Sequence, residues 1–341
     1  MQDPYSGKDL YVARPRPQEP GAGIIPLEEI LLDVCLLGTS GTIPLPRRRL
    51  SASLVRVGRG LVLLDCGEGT QVALRERGWG LRRLKTILIT HVHADHVLGL
   101  PGLLLSLGFS GKGADEPLTI YGPPPIEDVL RGLLVVAPRL PYPLRVVTLS
   151  DGETFPLEGF GGVQASCTEA EHDVPCLAYS LSVLRAPRFD AKRAQALGLP
   201  VEHWGQLQGG KSVRFGGRSV KPEEVLGPSR RGLRLVLVTD TAPTPNLVEF
   251  VRAGGEGADL LIAEGMYRSE EEKPARWESL HMTFSEAATL ARDGGARRLW
   301  LTHFGPSLED PSAHLGRATA VFPMTVLGHD GLTETLKFEE K

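Results

Sequence analysis

Apolar residues recur along this chain in short β-rich runs bounded by turn-forming residues, with helical spacing between many of them. Strand-like runs fall at 31–37, 52–57, 61–65, 86–90, 118–121, 145–149, 163–168, 177–183, 233–239, 259–263, 298–302, 324–327 and 334–338. Helical spacing occupies 69–77, 95–107, 125–136, 245–253, 284–293 and 311–320. Strands dominate, and the helices come between them without strict alternation. The pattern predicts an α/β fold in which two sheets pack face to face with helices outside, an α/β/β/α sandwich. Residues 1–30 show no such period. Pro4, Pro15, Pro17, Pro20 and Pro26 with Gly21 and Gly23 read there as a flexible N-terminal arm rather than an element. A single domain, 31–341, accounts for the rest.

One stretch differs from its surroundings. Between 184 and 234, eleven basic residues stand against four acidic ones, a charge of +7 in a chain whose total is −3. Its apolar residues are too sparse to predict an independent core, and its glycines punctuate it like hinges. The segment 184–232 reads as an inserted arm that meets a polyanion, with Arg188, Lys192, Arg193, Lys211 and Arg214 as candidate contacts and Trp204 as an anchor. The plainer reading is a solvated insertion. Bulk charge points to neither nucleic acid nor a membrane surface. No apolar run approaches the ~18 residues that span a bilayer. Cys35, Cys66, Cys167 and Cys176 form no close pair, which predicts buried thiols in a reducing cytoplasm.

The chemistry concentrates after strands. THVHADH (90–96) places His91, His93, Asp95 and His96 directly behind one run, and His172, Asp240 and His303 each follow another. Loops at the end of a rigid sheet are where reactive side chains are usually held, so the four clusters can converge. A lone His172 or His303 reads as structural. Five of the nine histidines in such clusters read as a metal site. On a turn leaving a strand, His91 and His93 point to one side, while Asp95 and His96 open a helix and face a second point, so one loop serves two metals. Imidazole and carboxylate without thiolate suit zinc first, with Mn2+ or Fe2+ as alternatives. Asp240 has two oxygens with which to bridge two Zn2+ ions. Such ions, about 3.5–4 Å apart, hold a hydroxide between them as nucleophile, which predicts hydrolysis, a phosphodiester being the foremost substrate.

DCGEGTQ (65–71), THVHADH (90–96), GLPGLL (99–104), EHDVPCLAY (171–179), LVTDT (237–241), AEG (263–265), LHMTFSEAA (280–288) and LTHF (301–304) together resemble the motifs of metallo-β-lactamase-fold hydrolases. Within that superfamily they are similar to ribonuclease Z, the endonuclease that trims the 3′ trailer from precursor tRNA. H-x-H-x-D-H carries only the superfamily; GLPGLL, the His281 motif and the position of the arm narrow it. The resemblance implies a metallo-β-lactamase-type sandwich, a homodimer, and an arm that grips tRNA. It also implies His91, His93 and His172 on one zinc, Asp95, His96 and His303 on the other, Asp240 bridging, and Asp65 beneath the ligands. The chain departs from the family's usual HEAT at AEGM (263–266) and from GDTRP at TDTAP (239–243), and its arm lacks the Gly-Pro tip.

His281 belongs to no ligand set. Thr283-x-x-Glu286 is a capping box, so His281 stands just ahead of a helix N-terminus, where amides and dipole favour a phosphate and make a protonated imidazole more acidic. It is a candidate proton donor to a leaving 3′ oxygen, with Asp95 as a second proton carrier. By the resemblance, Glu264 orients it. A surface histidine and a strand-end carboxylate are the plain alternatives. The leading expectation is therefore a cytoplasmic dinuclear zinc endoribonuclease acting on precursor tRNA. Two rivals remain: a same-fold hydrolase of small phosphodiesters or other esters, and a non-catalytic nucleic-acid-binding relative, against which the intact set of seven ligands argues.

Overall fold

The structure, a computed structural model, describes residues 10–12, 31–137, 139–274 and 280–338. Strands β1 (Leu10–Val12), β2 (Leu32–Gly38), β3 (Ala52–Val57), β4 (Gly60–Leu64), β5 (Leu84–Leu88), β6 (Leu118–Gly122) and β7 (Leu144–Thr148) belong to one sheet. The second sheet holds β8 (Thr154–Pro156), β9 (Val163–Ala170), β10 (Cys176–Arg185), β13 (Arg230–Val238), β14 (Leu260–Glu264), β15 (Leu299–Thr302) and β16 (Thr325–Leu327), with β11 (Val213–Phe215) and β12 (Arg218–Val220) forming a separate hairpin. The chain then returns to the first sheet as β17 (Thr333–Leu336), giving the orders β1-β7-β6-β5-β4-β3-β2-β17 and β16-β15-β14-β13-β10-β9-β8. The helices are α1 (Thr70–Arg77), α2 (Ala94–Val97), α3 (Leu100–Phe109), α4 (Ile126–Leu133), α5 (Ala191–Ala196), α6 (Trp204–Gln208), α7 (Pro245–Arg252), α8 (Phe284–Asp293) and α9 (Leu315–Thr319).

Strand alternation divides burial between two interfaces. In β4, Val62 and Leu64 enter the core between the sheets with Val34, Leu177, Leu235 and Ile262, whereas Leu61 and Leu63 share a cluster with Leu100, Leu103, Leu104 and Leu107 of α3. On the far side, Ala287, Ala288, Leu290 and Ala291 of α8 share a cluster with Val236, Val238, Leu261 and Ala263. This is the α/β/β/α sandwich that the pattern predicts. Within each sheet, β4 to β7 and β13 to β16 run parallel to their neighbours. Their C-terminal ends therefore share one edge, where loops can gather side chains from distant parts of the chain.

Three local features differ from the expectations. The helix expected over 95–107 is interrupted between α2 and α3. Pro101 has no N–H to continue it, and Gly99 packs so closely on the loop after β4 that a Cβ there would lie 2.1 Å from the Gly67 carbonyl oxygen. Of the expected N-terminal arm, Leu10–Val12 form an edge strand, with Leu10 opposite Leu144 of β7; the other residues of 1–30 lie outside the described residues. Between β10 and β13, Ala194, Leu199, Leu207, Val213, Val220 and Val225 form a buried cluster of their own, despite their wide spacing in sequence. Trp204 packs against that cluster, its indole N–H donating to the Leu199 carbonyl at 3.1 Å and its ring 5.1 Å from that of Phe189.

Candidate metal centre

Three strand ends turn through left-handed backbone: Asp65 (φ 59°) after β4, Asp240 (φ 51°) after β13 and His303 (φ 52°) after β15. A residue with a side chain visits this region rarely, at roughly 1–3 kcal/mol each, and such strain gathers at working sites. His91 and His93 follow β5, and Asp95 and His96 lie in α2. His91, His93 and His172 bring ligand atoms within 4.8 Å of one another, as do Asp95, His96, Asp240 and His303. A third grouping links His172 and Asp240 to His281. All seven expected ligands and His281 thus meet at one sheet edge.

Hydrogen bonds at Nδ1 assign the inward-facing nitrogens. His96 Nδ1 donates to Asp65 Oδ2 (2.9 Å), His303 Nδ1 to Ser51 Oγ (2.6 Å) and His91 Nδ1 to Thr90 Oγ1 (3.0 Å). The Ser51 hydroxyl then donates to the Ser40 carbonyl at 3.3 Å, and the Thr90 hydroxyl to Asp65 Oδ2 at 2.9 Å. The lone pairs of His91, His96 and His303 therefore sit on Nε2, and these three buried atoms have no hydrogen-bond partner among the described residues. Buried polar atoms are nearly always paired. Here the three Nε2 atoms stand 3.7, 3.4 and 3.0 Å from Asp240 oxygens, and the arrangement fits a divalent cation held between imidazole lone pairs and carboxylate. His93 differs, turning Nδ1 to within 3.3 Å of His172 Nε2, while His172 Nδ1 lies 3.4 Å from the Leu280 carbonyl.

The local field favours positive charge. Burial alone would weaken proton binding at His96, but Asp240, Asp65 and Asp95 overcome it and hold the imidazole well above its ordinary pKa, so that a proton and a metal cation compete for the Nε2 lone pair. Burial opposes ionisation of Asp240 and Asp95, yet the histidines beside them keep both carboxyls well below the usual range. His281 behaves unlike the sequence expectation. Its Nδ1 donates to Glu264 Oε2 at 2.8 Å; burial opposes the charged form, but that carboxylate together with Asp240 and Asp95 overcomes it and raises the imidazole to about 9. The capping box forms as expected, Thr283 Oγ1 accepting from the Glu286 amide at 3.2 Å and Glu286 Oε2 from the Thr283 amide at 2.8 Å. A buried carboxylate in contact, however, acts more strongly than a helix terminus two residues away. Glu264 itself is locked at the end of β14, its Oε1 accepting from the Thr241 amide at 2.7 Å.

Some of these positions carry no signal in the sequence. Ser51 stands 252 residues from the histidine it orients. Asp173 was open to notice beside His172, whose Nε2 lies 3.1 Å from Asp173 Oδ1. Gly41 leaves room for the centre, since a Cβ there would come 2.7 Å from His303 Nε2. Arg188, Lys192, Arg193, Lys211 and Arg214 are exposed on the segment between β10 and β13, which joins the sheet at the edge opposite Asp240. None of them belongs to the side-chain groups at the centre. Ser51→Ala is expected to weaken divalent-metal binding about 10–100-fold, because the oriented tautomer of His303 loses its anchor. Competition with a chromogenic chelator measures this, and an unchanged affinity would refute the role.

The fold and the centre define the class. The family model described as beta-lactamase superfamily domain matches residues 61–304. The chain is 41% identical over 310 residues to the ribonuclease Z of Clostridium kluyveri, covering 91% of this chain and 100% of that relative. Two solved structures share the fold: the metallo-beta-lactamase fold protein YhfI of Bacillus subtilis (TM-score 0.64, 18% identity) and the short form of human tRNase Z (TM-score 0.59, 22% identity). Each covers 90% of this chain and 100% of its own. The chain belongs to the ribonuclease Z family.

Proposed function

We propose that this metal-dependent endoribonuclease cuts precursor tRNA after the discriminator base, releasing the 3′ trailer, and that its centre takes two divalent ions, zinc foremost. The three buried, unpartnered Nε2 atoms around Asp240 carry the metal reading. His91, His93 and His172 would hold one ion, Asp95, His96 and His303 the other, with Asp240 between them. Bound divalent ions supply Lewis acidity and positive charge at the reacting phosphate. The side chains do the rest. Asp65 holds His96 directly and His91 through Thr90. Asp95, whose Oδ2 accepts from the Thr42 amide at 2.7 Å, takes a proton from the attacking water. His281 has Nδ1 committed to Glu264, which leaves Nε2 to give a proton to the 3′ oxygen as the P–O3′ bond breaks.

The arm, 184–232, supplies affinity in this reading through Arg188, Lys192, Arg193, Lys211 and Arg214, and its own buried cluster lets it stand off the body. End-labelled precursor tRNA incubated with zinc-loaded protein tests the whole. A single cut at the discriminator is expected; turnover of a small phosphodiester with tRNA left intact would overturn it.

Two further features belong to the proposal. The four cysteines are buried free thiols, and no helix among the described residues is long and apolar enough to cross a membrane, which supports a cytoplasmic protein. A homodimer is supported by Leu105 and Phe109, four residues apart on α3 and exposed, Phe109 at 87%, with Leu98 exposed just ahead of that helix. Phe109→Asp is expected to shift the protein toward monomer in sedimentation at micromolar concentration. An unaltered dimer would move the interface elsewhere.

A further inference from the structure

At the other end of the second sheet lies a cavity of about 450 Å3. Its wall gathers Arg185 at the end of β10, Arg188 three residues on, Arg230 and Arg231 at the start of β13, Arg297 ahead of β15 and Lys337 just after β17. Asp259 is the one carboxylate among its described lining residues. That carboxylate is already engaged: Oδ1 accepts from Arg231 Nη2 at 3.0 Å and faces Arg297 Nε at 3.7 Å, and Oδ2 accepts from the Arg234 amide at 2.8 Å. It positions two guanidiniums and offsets one charge. Six basic side chains line one cavity; Arg185, Arg230 and Arg297 are already engaged in interactions of their own, and the exposed Arg188 and Lys337 add positive charge that draws an anion.

The lining also indicates what kind of anion fits. Guanidinium forks match phosphate oxygens, and here they come from separate stretches of chain and ring a broad space rather than converging on one point. Leu233 and Pro228 are the apolar side chains of the described lining, and no aromatic ring there offers a surface for a base. Such a site holds successive phosphates and reads no sequence. It is also distant from the chemistry. Strand β13 runs 9 residues from Arg230 to Val238, roughly 30 Å at ~3.3 Å per residue, and Asp240 lies beyond its far end.

We propose that this cavity is a second phosphate site, which grips the RNA backbone of the substrate at the root of the arm, far from the cleaved bond. The inference rests on the ribonuclease reading given above. Of the residues assigned to the arm's own contacts, only Arg188 lines it, so the basic surface continues from the arm onto the body of the protein.

Arg185, Arg230 and Arg297 have further interactions of their own, so the test uses the exposed Arg188 and Lys337. The pair Arg188→Glu with Lys337→Glu, and the milder pair of alanines, are compared with the parent for precursor tRNA binding across a salt series. Unchanged thermal melting checks the fold. The expected result is affinity about tenfold lower at low salt for the reversed charges, a smaller loss for the alanines, and a log–log salt slope shallower by about one for each contact removed. Folded variants that keep the parent's affinity and slope overturn the proposal. So do variants that lose inorganic pyrophosphate binding but hold RNA as the parent does, which would give the cavity to small phosphate compounds. A parent that neither binds nor cuts precursor tRNA overturns the functional reading and this inference together; a parent that cuts while the variants bind unchanged overturns the cavity alone.

Discussion

Replacing Asp240 with alanine is expected to abolish cleavage and to strip metal from the centre. Asp240 is the carboxylate within 3.7 Å of Nε2 on His91, from one ligand group, and on His96 and His303, from the other. Its loss leaves three buried imidazoles without the charge that would hold a cation among them. Lewis-acid stabilisation is worth several kcal/mol, or about 10³-fold in rate at ~1.4 kcal/mol per decade, so the loss should reach at least that size. Metal content after gel filtration and single-turnover cleavage of precursor tRNA are the two measurements. Asp240→Asn belongs beside the alanine variant, because asparagine tolerates the left-handed backbone and removes charge while keeping shape. If either variant retained two ions per chain and the parental rate, Asp240 would not be the bridge.

His281→Ala should slow cleavage by about 10²–10⁴-fold, the usual worth of a placed proton donor, while metal content stays at the parental level. The two readouts separate a donor from a ligand. A substrate whose leaving 3′ oxygen is replaced by sulfur departs without protonation and should recover much of the lost rate in the variant. Equal slowing on both substrates would show that His281 acts on something other than the leaving group. Glu264→Gln keeps the hydrogen-bonding shape but loses the charge, and a milder defect of the same kind is expected from it, since Glu264 holds His281 at 2.8 Å without facing the scissile bond in this scheme.

The layering was legible because β4 is apolar along its whole length, as a strand covered on both faces must be, sending Val62 and Leu64 to one interface and Leu61 and Leu63 to the other. The side chains that gather at the sheet edge were legible as a set because their clusters follow apolar runs. What escaped depends on distance along the chain. No local pattern links Ser51 to His303, and Glu264 was tied to His281 only through the family resemblance, as an orienting group; the acidity of the imidazole was judged from the helix terminus, which gave the wrong direction. The arm's cluster escaped for a related reason: six small apolar residues separated by polar ones show no period, yet two short helices and a hairpin bring them together.

Asp65 has a consequence for how the centre tolerates change. It receives His96 directly and His91 by way of the Thr90 hydroxyl, so a single buried carboxylate underlies an imidazole from each ligand group. The two halves of the centre are for that reason one mechanical unit. A lesion at Asp65 acts on both at once, like a double substitution made at a residue that contacts neither substrate nor solvent.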